Sequence, residues 1–134
     1  MMKVVIFSLL AFCLTTFNVE AQHFIGLNKE ETRLLARQSG FYQDNMTVSQ
    51  KFNYLKFVNS ADTKTLIVFF SDEDIATHTR IVCDYSEYRF MTRDFDRDFK
   101  KLNDNTWQYE KDKQKFEVTL EEEEWYFVVR VKKK

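Results

Sequence analysis

Ile75-Ala76-Thr77-His78-Thr79-Arg80-Ile81-Val82-Cys83-Asp84-Tyr85 is the stretch on which the fold turns. It alternates with a period of two, and Ile75, Thr77, Thr79, Ile81, Cys83 and Tyr85 fall on one face. A period of two is that of a strand with one buried and one open side. The other face then carries Ala76, His78, Arg80, Val82 and Asp84. Upstream, Lys51–Asn59 and Lys64–Ser71 are rich in the β-branched and aromatic residues that suit a pleated surface. Asn59-Ser60-Ala61-Asp62 and Ser71-Asp72-Glu73-Asp74 supply the turns between these three strands.

Helices flank the three strands. Before them, Asn28 is placed to cap a helix over residues 28–39, with Glu31 reaching back and Gly40 as the left-handed stop. After them, Ser86 is placed as a cap, and Tyr88, Met91, Phe95, Phe99 and Leu102 recur at spacings of three and four down one side of a second helix. Asn103-Asp104-Asn105 ends it. Three more strands follow: Trp107 and Tyr109; Phe116, Val118 and Leu120; and Trp125, Phe127, Val129 and Val131. The expected architecture is α+β: an antiparallel sheet of about six strands with two helices on one face, in the order α-β-β-β-α-β-β-β. The repetition suggests a duplication, although the halves do not align residue by residue.

The chain opens as an export signal. Lys3 precedes an apolar run, Val4 to Phe17, and Val19 and Ala21 stand where a signal peptidase reads small residues. Cleavage after Ala21 leaves one domain, 22–134, in a secreted or periplasmic setting. The run is too short for a membrane span, which needs about 20 apolar residues, and 22–134 contains no second one. Cys13 reads as filler, because bulky Phe12 before it is unsuited to a lipoprotein cleavage box. Past Ala21 only Cys83 remains, so no disulfide framework can form. Asn45-Met46-Thr47 is a glycosylation sequon.

Composition removes several function classes. A net charge of −1 argues against a nucleic-acid partner. With only Gly26 and Gly40 for glycines, neither a P-loop nor a dinucleotide fingerprint can be written. No cofactor or metal is expected: His23 and His78 lie far apart, and a metal site needs three or four convergent ligands. Cys83 lacks a base, since His78 points to the opposite face, so buried packing is the expected role. Asp94, Asp96 and Asp98 imitate a calcium loop, but the sixth and twelfth positions are Phe99 and Asn105. They read better as helix-surface ion pairs, Asp94 with Arg97 and Asp96 with Lys100. Glu121–Glu124 read as a charged strand turn, and Lys132–Lys134 as a solubilising tail. Trp107, Tyr109, Trp125 and Tyr126 offer sugar-stacking surfaces, but three of the four share a strand face with apolar partners, which points to core packing.

Asp72-Glu73-Asp74, Thr77-His78-Thr79-Arg80, Cys83-Asp84-Tyr85-Ser86 and Trp125-Tyr126-Phe127 resemble a group of short exported bacterial α+β proteins of unassigned function. The resemblance spans most of 22–134 and implies export and the α+β order. It brings no catalytic residues. Candidate ligand-binding residues are His78, Arg80 and Asp84, on a sheet face that reads either as a polar binding patch or as an ordinary solvated surface. The expected function is a non-enzymatic binding or interaction domain for an unidentified protein or small ligand. The alternative is a small extracytoplasmic hydrolase whose site assembles only in three dimensions.

Overall fold

A computed structural model describes residues 24–44 and 52–134. The signal segment and the Asn45 sequon therefore lie outside the described residues. Helix α1 spans Lys29–Gln38, and strands β1 Phe41–Gln43, β2 Tyr54–Asn59, β3 Lys64–Phe70 and β4 Ala76–Asp84 follow it. A 3₁₀ turn at Tyr85–Glu87 leads into α2, Tyr88–Asp98. Strands β5 Lys100–Asn103, β6 Thr106–Lys111, β7 Gln114–Glu122 and β8 Tyr126–Lys133 complete the chain. All eight strands form one antiparallel sheet in the order β1-β2-β3-β4-β8-β7-β6-β5.

The sheet thus has eight strands rather than about six, and each additional one has a local cause. Gly40, at φ 86°, ends α1 and turns the chain so that Phe41 pairs with Asn59 as β1. At the other edge, α2 stops at Asp98, because Phe99 is extended (φ −120°, ψ 161°). Lys100 and Lys101 then pair with Gln108 and Trp107 as β5. Leu102 is accordingly an exposed residue of the edge strand, not the end of a helical stripe.

Each half is a helix followed by a four-stranded meander, and the halves meet antiparallel along β4 and β8. Lys64 and Gln114 open β3 and β7, fifty positions apart, and Ala76 and Tyr126 open β4 and β8 at the same spacing. The strand order and connectivity of the two halves repeat about the β4–β8 seam as an approximate twofold, although the side chains do not repeat. Local chemistry fixes the hairpins. Asp112 (φ 52°) and Lys113 (φ 64°) make the two-residue β6–β7 turn with both residues left-handed, as a hairpin of that length favours. Asn59 Oδ1 accepts from the amides of Thr63 and Lys64, closing the β2–β3 turn.

One face of the sheet is the core. Leu55, Phe57, Leu66, Val68, Ile81, Cys83, Trp107, Val118, Leu120, Phe127, Val129 and Val131 share it and are buried. Both helices pack on this side. Helix α1 contributes Thr32 and Ala36, and its Asn28 cap works reciprocally with Glu31 as the sequence predicts. Helix α2 contributes Tyr88 against Phe127, Met91 against Cys83 and Phe95 against Trp107. Its entry is set by Asp84, whose carboxylate accepts from the Ser86 amide, so Ser86 is the capped residue rather than the cap. At the start of β4 a register shift pairs Phe69 with His78 but Phe70 with Ala76. That bulge turns Ala76 into the core and leaves Ile75 and Thr77 outside it. The alternation expected from Ile75 onward therefore holds only from Thr79.

Candidate binding surface

Cross-strand register defines the face that the helices leave uncovered. One row runs Tyr54, Phe69, His78, Lys132, Glu117, Gln108 and Lys100. The next runs Lys56, Ile67, Arg80, Arg130 and Thr119. A third runs Val58, Thr65, Val82, Val128 and Glu121.

Phe69 organises the first-half side of this face. The His78 imidazole stacks on its ring at 4.5 Å and 6° between planes. The Arg80 guanidinium lies 5.6 Å from the same centroid, and Tyr54 packs at 6.1 Å. Burial against Phe69 and the positive charge of Arg80, in that order, hold the His78 pKa below that of a free imidazole, so the ring is neutral at neutral pH. Its Nδ1 lies 2.9 Å from the Thr77 hydroxyl. Arg80 has no carboxylate partner among the described residues, and its Nε is closed off from solvent with nothing to donate to. Most guanidinium donors so enclosed find an acceptor.

His78 and Arg80 are thus brought together, while Asp84 is not. It lies four residues further along β4, about 13 Å at strand rise. Its hydrogen bond to Ser86 holds its carboxyl below the usual carboxylate range. That role is local capping.

Two residues missing from the sequence-based candidates complete the patch. Arg130 stands directly opposite Arg80, and Lys132 opposite His78. Arg130 bonds to Glu121 at 2.6 Å. Nothing in the sequence announces this grouping, because β4 and β8 are joined through the whole second half of the chain. Sequence patterning reveals that Arg130 faces away from Val129 and Val131, but not which strand lies beside it.

The remaining candidates resolve as packing and surface pairs. Cys83 is buried with Sγ 3.6 Å from Met91 Sδ, and burial pushes its thiol up to about 12. Asp94 pairs with Arg97 as expected, at 3.4 Å. Asp96 does not reach Lys100; it pairs with Lys101 at 3.6 Å and accepts from the Trp107 indole at 2.9 Å, because β5 replaces the helix end. Trp107 is core, but Trp125 is 79% exposed in the β7–β8 turn, which corrects its expected core role, and Tyr126 is also exposed. Among the described residues no three His, Cys, Asp or Glu side chains gather as a metal site, and no helix is long and apolar enough to cross a membrane. No family model, curated protein or solved structure matches the chain.

Proposed function

We propose that the chain is exported after cleavage at Ala21 and serves as a non-enzymatic binding domain, with the open sheet face around His78 and Arg80 as the contact surface. The observation that carries this reading is the state of Arg80: a guanidinium on the uncovered face, over an aromatic ring and without a carboxylate partner among the described residues. Arginine beside aromatic rings is the residue combination that dominates binding energy at protein interfaces. Export is supported by the Lys3, Val4–Phe17 and Val19-Glu20-Ala21 pattern. A chain beginning at Gln22 also keeps Phe24, a fully buried part of the core.

A photoreactive side chain placed at Tyr54, on the open face, tests the surface in the exporting cell. The same group at Leu34, exposed on α1, is the control. A discrete adduct from position 54 that Arg80→Ala abolishes without lowering the melting temperature is expected. An adduct from position 34 alone, or one indifferent to Arg80, overturns the assignment. Intact mass of the exported protein tests the processing: it should begin at Gln22, and retained Met1 would refute cleavage.

A further inference from the structure

The fifty-residue spacing between the starts of β4 and β8 also separates Arg80 from Arg130, and these two residues face each other in the ladder. The approximate twofold therefore passes between Arg80 and Arg130 on the open face, with the Arg80 guanidinium leaning over Phe69 and that of Arg130 onto Glu121. Directly opposed side chains in an antiparallel pair have Cβ atoms about 5 Å apart, and like charges so placed are destabilising. His78 and Lys132 form the neighbouring pair, so the centre of the face concentrates basic groups in a chain whose net charge is −1. Only one member of the central pair is neutralised: Glu121 takes Arg130, while Arg80 has no carboxylate partner among the described residues.

We propose that this axial pair is a carboxylate-binding site for an acidic segment of a partner protein, lying extended along β4 and β8. The inference rests on the open-face reading above and names the chemistry of its occupant. Planar, fork-shaped guanidinium donors match a carboxylate in bidentate geometry. The surroundings select a short acidic segment rather than a broad anionic surface. Glu117 faces Lys132 across the ladder and Glu121 holds Arg130, so carboxylates border the basic centre and repel an extended polyanion or an anionic membrane. The row beside the arginines holds Val58, Val82 and Val128, two residues further along the strands. That step is about 7 Å, the distance between same-side residues of an extended peptide. A segment with an acid at one position and an aliphatic residue two further on therefore sets the acid at Arg80 and Arg130 and the aliphatic side chain on part-exposed Val82, beside buried Val128.

The test uses an end-capped peptide repeating Glu-Thr-Val-Thr, its Gln-for-Glu counterpart, inorganic phosphate and phosphatidylglycerol vesicles. Each is titrated into the exported protein while the arginine side-chain Nε–H resonances are followed. The Glu peptide is expected to shift Arg80 and Arg130 together and saturably, and the Gln peptide to leave them in place. Arg80→Gln and Arg130→Gln should each weaken binding about tenfold or more, as loss of a charge-assisted hydrogen bond does. Arg80→Lys should recover part of that loss, and Arg93→Gln on α2 should change nothing. Equal binding of the Gln peptide, or phosphate or vesicles outcompeting the Glu peptide, overturns the proposal. So do resonances that move when the protein alone is concentrated, since these indicate a second copy on the face. A cross-link at position 54 with no saturable arginine shift overturns the acidic occupant but leaves the binding surface. Failure of both experiments removes both readings.

Discussion

Helices α1 and α2 sit at equivalent places in the two halves but meet the sheet through opposite kinds of side chain. Counted from the first helical residue, the fourth and eighth positions are Thr32 and Ala36 in α1 and Met91 and Phe95 in α2. Thr32 and Ala36 are fully buried, and the Thr32 hydroxyl is satisfied by Asn28 O at 2.7 Å. Helix α2 buries no residue fully. It rests on a layer of rings in which Phe95 packs on Trp107 and Phe99 stacks on Phe95 and Tyr109, with Tyr109 on Phe116 beyond. One backbone plan thus accommodates two packing solutions: small residues that admit close approach, and large flat ones that fill a wider gap. Where the side chains of two halves differ this far, residue-by-residue alignment of the halves fails while the shared topology persists.

The aromatic layer is the largest dependency in this contrast. Trp107 is buried and its indole donates to Asp96 on α2, so it joins sheet to helix. Trp107→Ala should cost about 3–5 kcal/mol in denaturant unfolding, the range for a buried aromatic. This is a large part of the roughly 5–15 kcal/mol that holds a small domain together. A cost under about 1 kcal/mol would mean that α2 is held by something other than its rings.

Next in size are substitutions at the eighth helical position. Ala36→Leu should cost about 1–3 kcal/mol through overpacking, because the site is closed. Phe95→Ala, at a half-buried ring, should cost about 2 kcal/mol, less than a fully buried Phe. A neutral Ala36→Leu would show room under α1 and dissolve the distinction. Thermal melts of the two variants place them on one scale.

The same contrast explains what could be read from the sequence. Helix α1 was legible because Asn28, Glu31 and Gly40 act within a few residues of one another. The end of α2 was not, because the spacing of Phe95, Phe99 and Leu102 fits a helix as well as it fits a helix followed by a turn into an edge strand. Hairpin pairing with β6 decides between them, and the spacing of apolar residues alone does not show it. The candidate surface divides similarly. His78 and Arg80 come from one alternating strand, whereas Arg130 and Lys132 reach them only through the β4–β8 ladder. The bulge at Phe69/Phe70 moved Ala76 into the core against the simple alternation, because one extra residue in a strand reverses the faces beyond it.

Cys83 sharpens the comparison from beneath α2. Its thiol touches Met91 and is pushed up to about 12 by burial, so almost no thiolate exists at neutral pH. Native-state alkylation should be slow and limited by opening of the structure, and Cys83→Ala should cost about 1 kcal/mol. Labelling as fast as in denaturant would mean that α2 lifts readily from the sheet. Trp107→Ala should accelerate the labelling by loosening the helix, whereas Ala36→Leu, in the other half, should not.

The smallest expected effect lies on the open face, where the helices play no part. In the folded protein His78 titrates below its ordinary value, held there by burial against Phe69 and by the charge of Arg80, with Lys132 opposite it in the ladder. The unfolded chain, with an ordinary imidazole near pH 6.5, therefore binds the proton more readily than the folded one. Stability linked to this group is complete above the unfolded value and is lost as pH falls through about 6.5 toward the lowered folded value. The ring is partly exposed, so solvent screening keeps the effect small. Unfolding curves of wild type and His78→Gln should coincide above neutrality and separate below it, with the wild type losing stability faster. Arg80→Gln should reduce that separation without removing it, because burial, the larger cause, remains. If His78→Gln instead unfolds the protein at neutral pH, the Phe69–His78 stack belongs to the core and the open face is not a docking surface.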